Sequence, residues 1–407
     1  MRWTVHLEGG PRRVNHAAVC VGEYIFSFGG YCTGDDYRFS ESIDVHVLNI
    51  QTLRWTLLPQ RRDENGTILK YPEVPFQRYG HTAVAHKDKI YIWGGRNDES
   101  LCNVLYCFDP KTLSWSRPPV IGAIPGARDG HSACVIDNCM YIFGGFVEEI
   151  NEFSCDVHAL NFNTMEWRYI QTFGVAPSFR DFHTAEHIHG RMYIFGGRGD
   201  KHSPYHSQEE IYCPEIVYLD LKTKVWHRPS TTGKVPVGRR SHSMCKHIYI
   251  HMCHTHHERL NFSCINLPTV IYNNLIYVFG GYNGLLDQHF NDLYTFDPKA
   301  NCWNLVKPHG KPPTPRRRQV GIVKNQRLFL FGGTSPYPHA TAQEQQAFLI
   351  DNNDTNVLDF EPSLKTLSIL AVVEHRIDTT WLPRELRLEI KAMTQPNSIS
   401  RPINHAG

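Results

Sequence analysis

The chain has 407 residues, a formal net charge of +2 and 41% hydrophobic residues. That balance gives a nucleic-acid role no global electrostatic support, and the absence of any run of 18 apolar residues argues against a helical membrane span. The 12 cysteines include no Cys-x-x-Cys pair, and the start, Met1-Arg2-Trp3-Thr4-Val5-His6, lacks a hydrophobic targeting core. Together they predict reduced thiols in the cytoplasm and nucleus.

The first element is a tryptophan-bearing strand at Trp3. After it comes a unit that recurs along the chain: a Pro-rich loop, Arg-x-x-His, a strand, a turn, and an aromatic strand ending in Gly-Gly. The doublets, in order, are Phe28-Gly29-Gly30, Trp93-Gly94-Gly95, Phe143-Gly144-Gly145, Phe195-Gly196-Gly197, Phe279-Gly280-Gly281 and Phe331-Gly332-Gly333. The matching tryptophans are Trp3, Trp55, Trp115, Trp167, Trp226 and Trp303. Alternation such as Lys89-Ile90-Tyr91-Ile92-Trp93 indicates half-buried strands. From the motif histidine to the first glycine is 13 residues for His16, His81, His131 and His183. A period near 50 residues carrying glycine pairs and aromatics predicts a blade array. The fold class is therefore all-β: a six-bladed propeller over 1–360, with a short helical tail over 361–407. The sixth doublet unit ends at Val357-Leu358-Asp359-Phe360 without a tryptophan, so the Trp3 strand is expected to complete it and close the ring.

Most repeated residues are predicted to be structural. Glycines serve tight backbone, and the tryptophans together with Tyr91, Tyr141, Tyr193 and Tyr277 belong between blades. His16, His81, His131, His183 and His242 occur one per blade, with Gln319 in the sixth place. That dispersion favours buried, hydrogen-bonding histidines over metal ligands.

The fifth unit is irregular. From His242 to Gly280 is 38 residues against 13 elsewhere, an excess of 25 placed at 245–269. Cys245, His247, His251, Cys253, His254, His256, His257 and Cys264 make this stretch zinc-like in composition, but their spacing fits no closed tetrahedral pattern. A read-through intron, or a loop at the mouth of blade five, accounts for it better.

Beyond Phe360 the repeat stops. Ser363 to Val372 has helical spacing, with Leu364, Leu367 and Ala371 on one face. Trp381 to Ile390 reads as a second helix, capped by Asp378 or Thr379, with Pro383 in its first turn and Leu386, Ile390 and Met393 as an apolar stripe.

The six units resemble kelch repeats, and the tail resembles the paired boxes of cullin-2 ubiquitin-ligase substrate receptors. Ser363-Leu364, Ser368 and Val372 match the elongin BC box (363–372), with Ser368 where that family has cysteine. Leu382-Pro383-Arg384-Glu385-Leu386-Arg387-Leu388-Glu389-Ile390 matches the cullin-2 box (382–390) throughout. The resemblance implies a substrate receptor that reads C-terminal glycine degrons and joins elongin B/C, cullin-2 and a RING subunit. Leu364, Ser368 and Val372 would contact elongin; Leu382, Pro383, Leu386 and Ile390 would contact cullin. No cofactor, metal, membrane or direct nucleic-acid contact is implied, and no catalytic Cys-His pair or phosphate loop stands out, so the chain reads as an adaptor and not an enzyme. A kelch interaction scaffold outside any ligase is the alternative.

A C-terminal carboxylate needs cations or backbone donors. The motif arginines are Arg13, Arg78, Arg128, Arg180, Arg239 and Arg316; Arg96 and Arg198 follow doublets; further cations sit at Lys201, Arg240, Arg317 and Arg318. By the resemblance, Arg198 and the next basic position of its loop, Lys201, grip the carboxylate. Arg240 stands where the receptor for diglycine ends has serine. Arg198, Lys201, Arg240, Arg239 and Arg96 are the expected degron contacts.

Overall fold

A computed structural model describes residues 1–34, 41–60, 71–207, 209–253, 269–338 and 348–401. Six antiparallel sheets follow one another around the chain, each formed from one repeat. In blade one the strands Ala17–Val21, Tyr24–Phe28, Val45–Asn49 and Arg54–Leu57 pair in sequence order. Blades two to five repeat this plan. Blade six pairs Val320–Lys324, Arg327–Phe331 and Thr355–Asp359, and its outer strand is the N-terminal Arg2–Leu7, antiparallel to Thr355–Asp359. The expected closure is present: the first and last strands of the ring share one sheet, and the N-terminal strand covers the edge of Thr355–Asp359.

The repeat's aromatics explain why sheets of this sequence stack into a ring. Each Trp packs on the aromatic before the doublet of the preceding blade. Ring centroids lie 5.8 Å apart for Trp115–Phe28, 5.5 Å for Trp167–Trp93, 5.3 Å for Trp226–Phe143 and 5.2 Å for Trp303–Phe195. The pair Trp3–Phe279 at 5.9 Å and the pair Trp55–Phe331 at 5.0 Å complete the circle across the seam. One edge-to-face or tilted contact thus recurs at all six interfaces.

The doublets let the blades approach closely. Gly94 has φ +72, and a Cβ there would lie 2.4 Å from the His131 ring and 2.9 Å from the Arg128 carbonyl oxygen of the next blade. The histidines are buried as expected. His131, His183 and His242 each place Nε2 on a hydroxyl of the preceding blade, Thr82 at 2.8 Å, Ser132 at 2.8 Å and Thr184 at 2.6 Å. Burial holds them neutral: the pKa of His131 is pushed down to about 3, by burial first and then by Arg128.

Blade five contains a long hairpin, Ser243–Cys253 paired with Thr269–Phe279. The ordinary strand pair runs as far as His247 opposite Leu275. Cys245 is core, and the His247 ring packs at a tilt against Phe360 with centroids 4.0 Å apart. Both belong to the regular blade, so the extra residues enter after His247, later than the spacing alone placed them. The hairpin leaves the ring at the end of the strands away from Gly280-Gly281, on the face opposite the doublets. The side chains of His251 and Cys253, and residues His254, His256, His257 and Cys264, lie outside what is described.

Two helices follow the last blade, α1 (Leu364–Glu374) and α2 (Arg384–Thr394). The Thr366 N–H donates to the Ser363 hydroxyl, which caps α1. Pro383 occupies the N-cap position of α2, where the backbone still has extended ψ 148. Asp378 instead accepts from the Thr380 N–H in the connecting turn, so the second helix begins later than an Asp378 or Thr379 cap predicts. Lys365 and Glu389 tie the helices together. Arg54 of blade one donates to the carbonyls of Lys391 and Ala392 at the end of α2, where a cation meets the negative end of the helix.

Candidate functional site

Loops at the doublet end of the strands form one face of the ring. On this face the backbone of the residue after each motif arginine pairs with the backbone of the residue after the doublet. The pairs are Val14/Tyr31, Tyr79/Arg96, Asp129/Phe146, Asp181/Arg198, Arg240/Tyr282 and Arg317/Thr334. Six pairs therefore circle the axis, and their charge changes sign around it. Blades three and four bring Asp129 and Asp181; blades five and six bring Arg240 and Arg317.

The motif arginines themselves are staples. Arg78, Arg128, Arg180, Arg239 and Arg316 each donate through Nη1 to the carbonyl of their own blade's first doublet glycine, at 2.8–3.2 Å. Each also donates through Nε to a carbonyl two residues back. Arg239 is fully buried and further held by Asp292 at 2.5 Å. It has no face toward a ligand, so Arg239 is removed from the expected degron contacts. The sequence placed it next to Arg240, but strand alternation sends neighbours to opposite sides.

Arg198 and Arg240 do converge. Each places Nη1 3.4 Å from Glu210 Oε1. Arg198 is also paired with Asp181 at 2.5 Å. Burial disfavours the Arg198 charge, yet Asp181 and Glu210 outweigh it and raise its pKa above the ordinary value. Tyr212 donates its hydroxyl to Glu210. Lys201 lies out on the same loop, 63% exposed at the side chain and paired with Glu209 at 2.8 Å. Arg96 sits on the blade-two side, where Glu148 faces it at 3.3 Å.

Arg317 and Arg318, noted from sequence only as additional cations, complete the basic side. Arg317 lies over the Tyr282 ring, 4.2 Å from its centroid, and Arg240 lies 5.6 Å from the same ring. Arg318 donates to the Tyr31 hydroxyl at 2.5 Å. Burial, then Arg318 and Arg240, lower the Arg317 pKa to about 10, which still leaves it charged at neutral pH. Across the axis, burial and then Asp181 raise Asp129 to about 7. Local sequence carries no signal for these groupings, because the partners lie tens of residues apart.

The tail lies toward the other face. It leaves Asp359, which pairs with Arg327 at the far end of blade six from Gly332-Gly333. In α1 only Ile369 is buried; Leu364 is 83% exposed, Ser368 is exposed and Val372 is half-buried. Leu382, Leu386 and Ile390 are half-buried, Pro383 is exposed, and Trp381 is 90% exposed.

The closed six-blade ring with Arg-x-x-His staples and glycine doublets defines a kelch-type propeller, and the chain belongs to the kelch-repeat family. The family description KLHDC2/KLHL20/DRC7 Kelch-repeats domain matches residues 80–333 and 263–371. The chain is 47% identical to Kelch domain-containing protein 3 of Bos taurus over 404 residues, 99% of this chain and 98% of that protein, and equally to the Homo sapiens protein of that name. A more distant likeness, 26% over 278 residues, is to Host cell factor 2 of Homo sapiens, covering 65% of this chain and 31% of that protein.

Proposed function

We propose that this protein is the substrate-recognition subunit of a cullin-2 RING ubiquitin ligase. In this reading the doublet face binds a protein chain ending in glycine, and the tail joins elongin B/C, cullin-2 and the RING subunit. The chain acts as an adaptor with no catalytic site of its own, in cytoplasm and nucleus, and promotes ubiquitination and degradation of what it holds.

The observation that carries the reading is α1. It is an apolar helix whose box residue Leu364 is 83% exposed. A helix that finishes no core of its own ring yet keeps Leu364, Leu367 and Val373 in water fits the groove-binding mode of partner recognition. Its place on the side of the ring away from the cationic face leaves both surfaces accessible at once. On the doublet face, Arg198, Arg240 and Arg317 supply the charge a terminal carboxylate requires, and glycine suits a site where a side chain would meet the walls.

The test is affinity purification of the full chain from cells, followed by mass spectrometry, beside Leu364→Asp. Recovery of elongin B/C and cullin-2 with the native chain, and their loss with a variant of unchanged melting temperature, supports the reading. Absence of both partners from the native chain refutes it.

A further inference from the structure

A cavity of about 720 Å³ lies where the tail rests on the ring, on the side away from the doublet face. Five stretches of chain wall it: the N-terminal strand at Val5, the blade-one turn at Leu53, blade six at Arg327, the first turn of α1 at Lys365, and α2 at Leu388 and Met393. The volume is that of a small-molecule site, and junctions between separately built parts are where such sites occur. Val5 and Leu53 belong to the buried core, and Met393 packs against that core. Leu388, also on the wall, stays 55% exposed.

Four cations and two acids complete the lining: Arg54, Arg327, Lys365 and Lys391 against Asp359 and Glu389. Glu389 is tied to Lys365. Asp359 accepts from the Thr4 hydroxyl at 2.8 Å and lies in the field of both Arg327 and the amino terminus. One carboxylate therefore serves two cations there. Arg54 is committed to the carbonyls of Lys391 and Ala392. Arg327 donates a long bond of 3.4 Å to the Ile50 carbonyl and lies 5.3 Å from the Phe329 ring centroid. Lys391 is exposed, and neither it nor Arg327 has a salt bridge among the described residues. The cavity thus joins apolar walls to a surplus of positive charge.

We propose that this cavity is a binding site for a small organic anion with an apolar body, its charge answered by Arg327 and Lys391 and its body laid against Leu53, Leu388 and Met393. A neutral ligand would leave the surplus charge unanswered, and a bare inorganic anion would leave Leu388 in water. An amphipathic acid satisfies both. Such a ligand touches both helices and two blades at once. It therefore holds the tail to the ring more firmly than Arg54 and Met393 do alone, by mass action on the docked state. The site is independent of which proteins the tail or the doublet face binds.

The experiment uses the full chain and two probes that share one aromatic body: 8-anilinonaphthalene-1-sulfonate, and N-phenyl-1-naphthylamine, which lacks the sulfonate. Fluorescence follows binding, and amide exchange locates it. The expected result is a Kd of roughly tens of micromolar for the sulfonate, ordinary for a ligand of about 20 non-hydrogen atoms, and binding of the amine weaker by about 10-fold or more. The bound sulfonate should slow exchange in α2 and at residues 51–54. Arg327→Met and Lys391→Met are each expected to weaken the sulfonate by about 5- to 10-fold and to leave the amine unchanged. Ala392→Trp fills the space and should abolish binding of both. Lys391 makes no side-chain bond among the described residues, so its variant decides the matter even where Arg327→Met or Ala392→Trp lowers the melting temperature. Equal affinity for the two probes, exchange protection confined to other parts of the ring, or native sulfonate binding by Lys391→Met would each overturn the site.

Discussion

The Asn397 N–H donates to the Glu8 carbonyl at 2.7 Å, and the Asn397 carbonyl lies where a Cβ on Gly9 would come within 2.1 Å. Elsewhere in the ring the corresponding glycine meets the next blade's tryptophan carbonyl directly: Gly122 on Trp167, Gly233 on Trp303 and Gly310 on Trp3. At blade one the C-terminal segment is slotted between them. Ser400 bridges Thr56 in parallel, the Leu57 N–H donates to the Ser400 carbonyl, and the Trp55 N–H donates to Asn397 Oδ1 at 3.3 Å. The segment beyond α2 is thereby stitched to the outer strand of blade one by an isolated parallel bridge.

Deleting residues from 396 onward removes that stitch while sparing both boxes. The expected outcome is faster amide exchange throughout α2 and along Arg54–Leu57, with a melting temperature lower by a few degrees. Asn397→Ala removes the bond to Trp55 and costs about 1 kcal/mol. Unchanged exchange in α2 after the deletion would show that Arg54 and Met393, which packs against the core of blades six and one, hold the helix without that segment.

Gly94→Ala tests the blade spacing. The residue has φ +72 and faces the His131 ring and the Arg128 carbonyl. Left-handed backbone costs an ordinary residue about 1 kcal/mol, and the clash with a fixed ring and a carbonyl adds to it, so a loss of roughly 3 kcal/mol or more is expected. Gly190 has φ +73, and a methyl group added there would find nothing within 4 Å. Gly190→Ala should cost only the backbone part, about 1 kcal/mol. Denaturant midpoints of the two variants give the comparison, and equal losses would refute the steric argument.

The ring was legible in the chain because its cause is periodic. Trp115, Phe28, Gly94 and His131 each repeat by blade, and the tryptophan-on-aromatic contact recurs at every interface, while Gln319 replaces the histidine at one. The motif arginines repeat for the same reason, which is why Arg239 proved to be a staple; the position after them does not repeat and brings Asp129, Asp181, Arg240 and Arg317 to the face in turn. The acids that decide which arginine is free were not legible. Asp181 and Glu210 reach Arg198 across 17 and 12 residues of chain; the first is the spacing of the recurring backbone pair, but the acid at that position does not repeat, and the second spacing follows no repeat. The seam occupied by Asn397 was equally silent, since a lone extended segment has no hydrophobic period to announce it.

Arg316 offers a direct contrast with its neighbour Arg317. Its guanidinium is fully buried and held by Asp354 through two bonds of 2.6 and 2.7 Å. Arg316→Met strands a buried carboxylate and should cost about 3–5 kcal/mol. Adding Asp354→Asn should recover part of that loss. Calorimetric melting of the single and double variants measures it, and a single variant as stable as the native ring would contradict the assignment.

Asp129 links the acidic side of the doublet face to pH. Burial, then Asp181, raise its pKa from 3.8 to about 7, against Arg96 and Arg198. Between those values the folded chain holds a proton that the unfolded chain has released. Its contribution to stability is therefore present in full below pH 3.8, declines as pH rises, and is lost once pH passes through about 7. Asp129→Asn keeps the shape and removes the titration. The variant should match the native chain near pH 4 and exceed it increasingly up to pH 7, with a plateau beyond. A shift of about three units sets the ceiling of that gain near 4 kcal/mol. His16, His81, His131 and His242, each lowered to about 3 by burial first, act with the opposite sign, since their contribution is lost as pH falls below 6.5. They are common to both proteins and cancel in the difference. Urea midpoints of the pair at several values from pH 4.5 to 8 make the measurement, and a difference that does not grow with pH would place the Asp129 proton elsewhere.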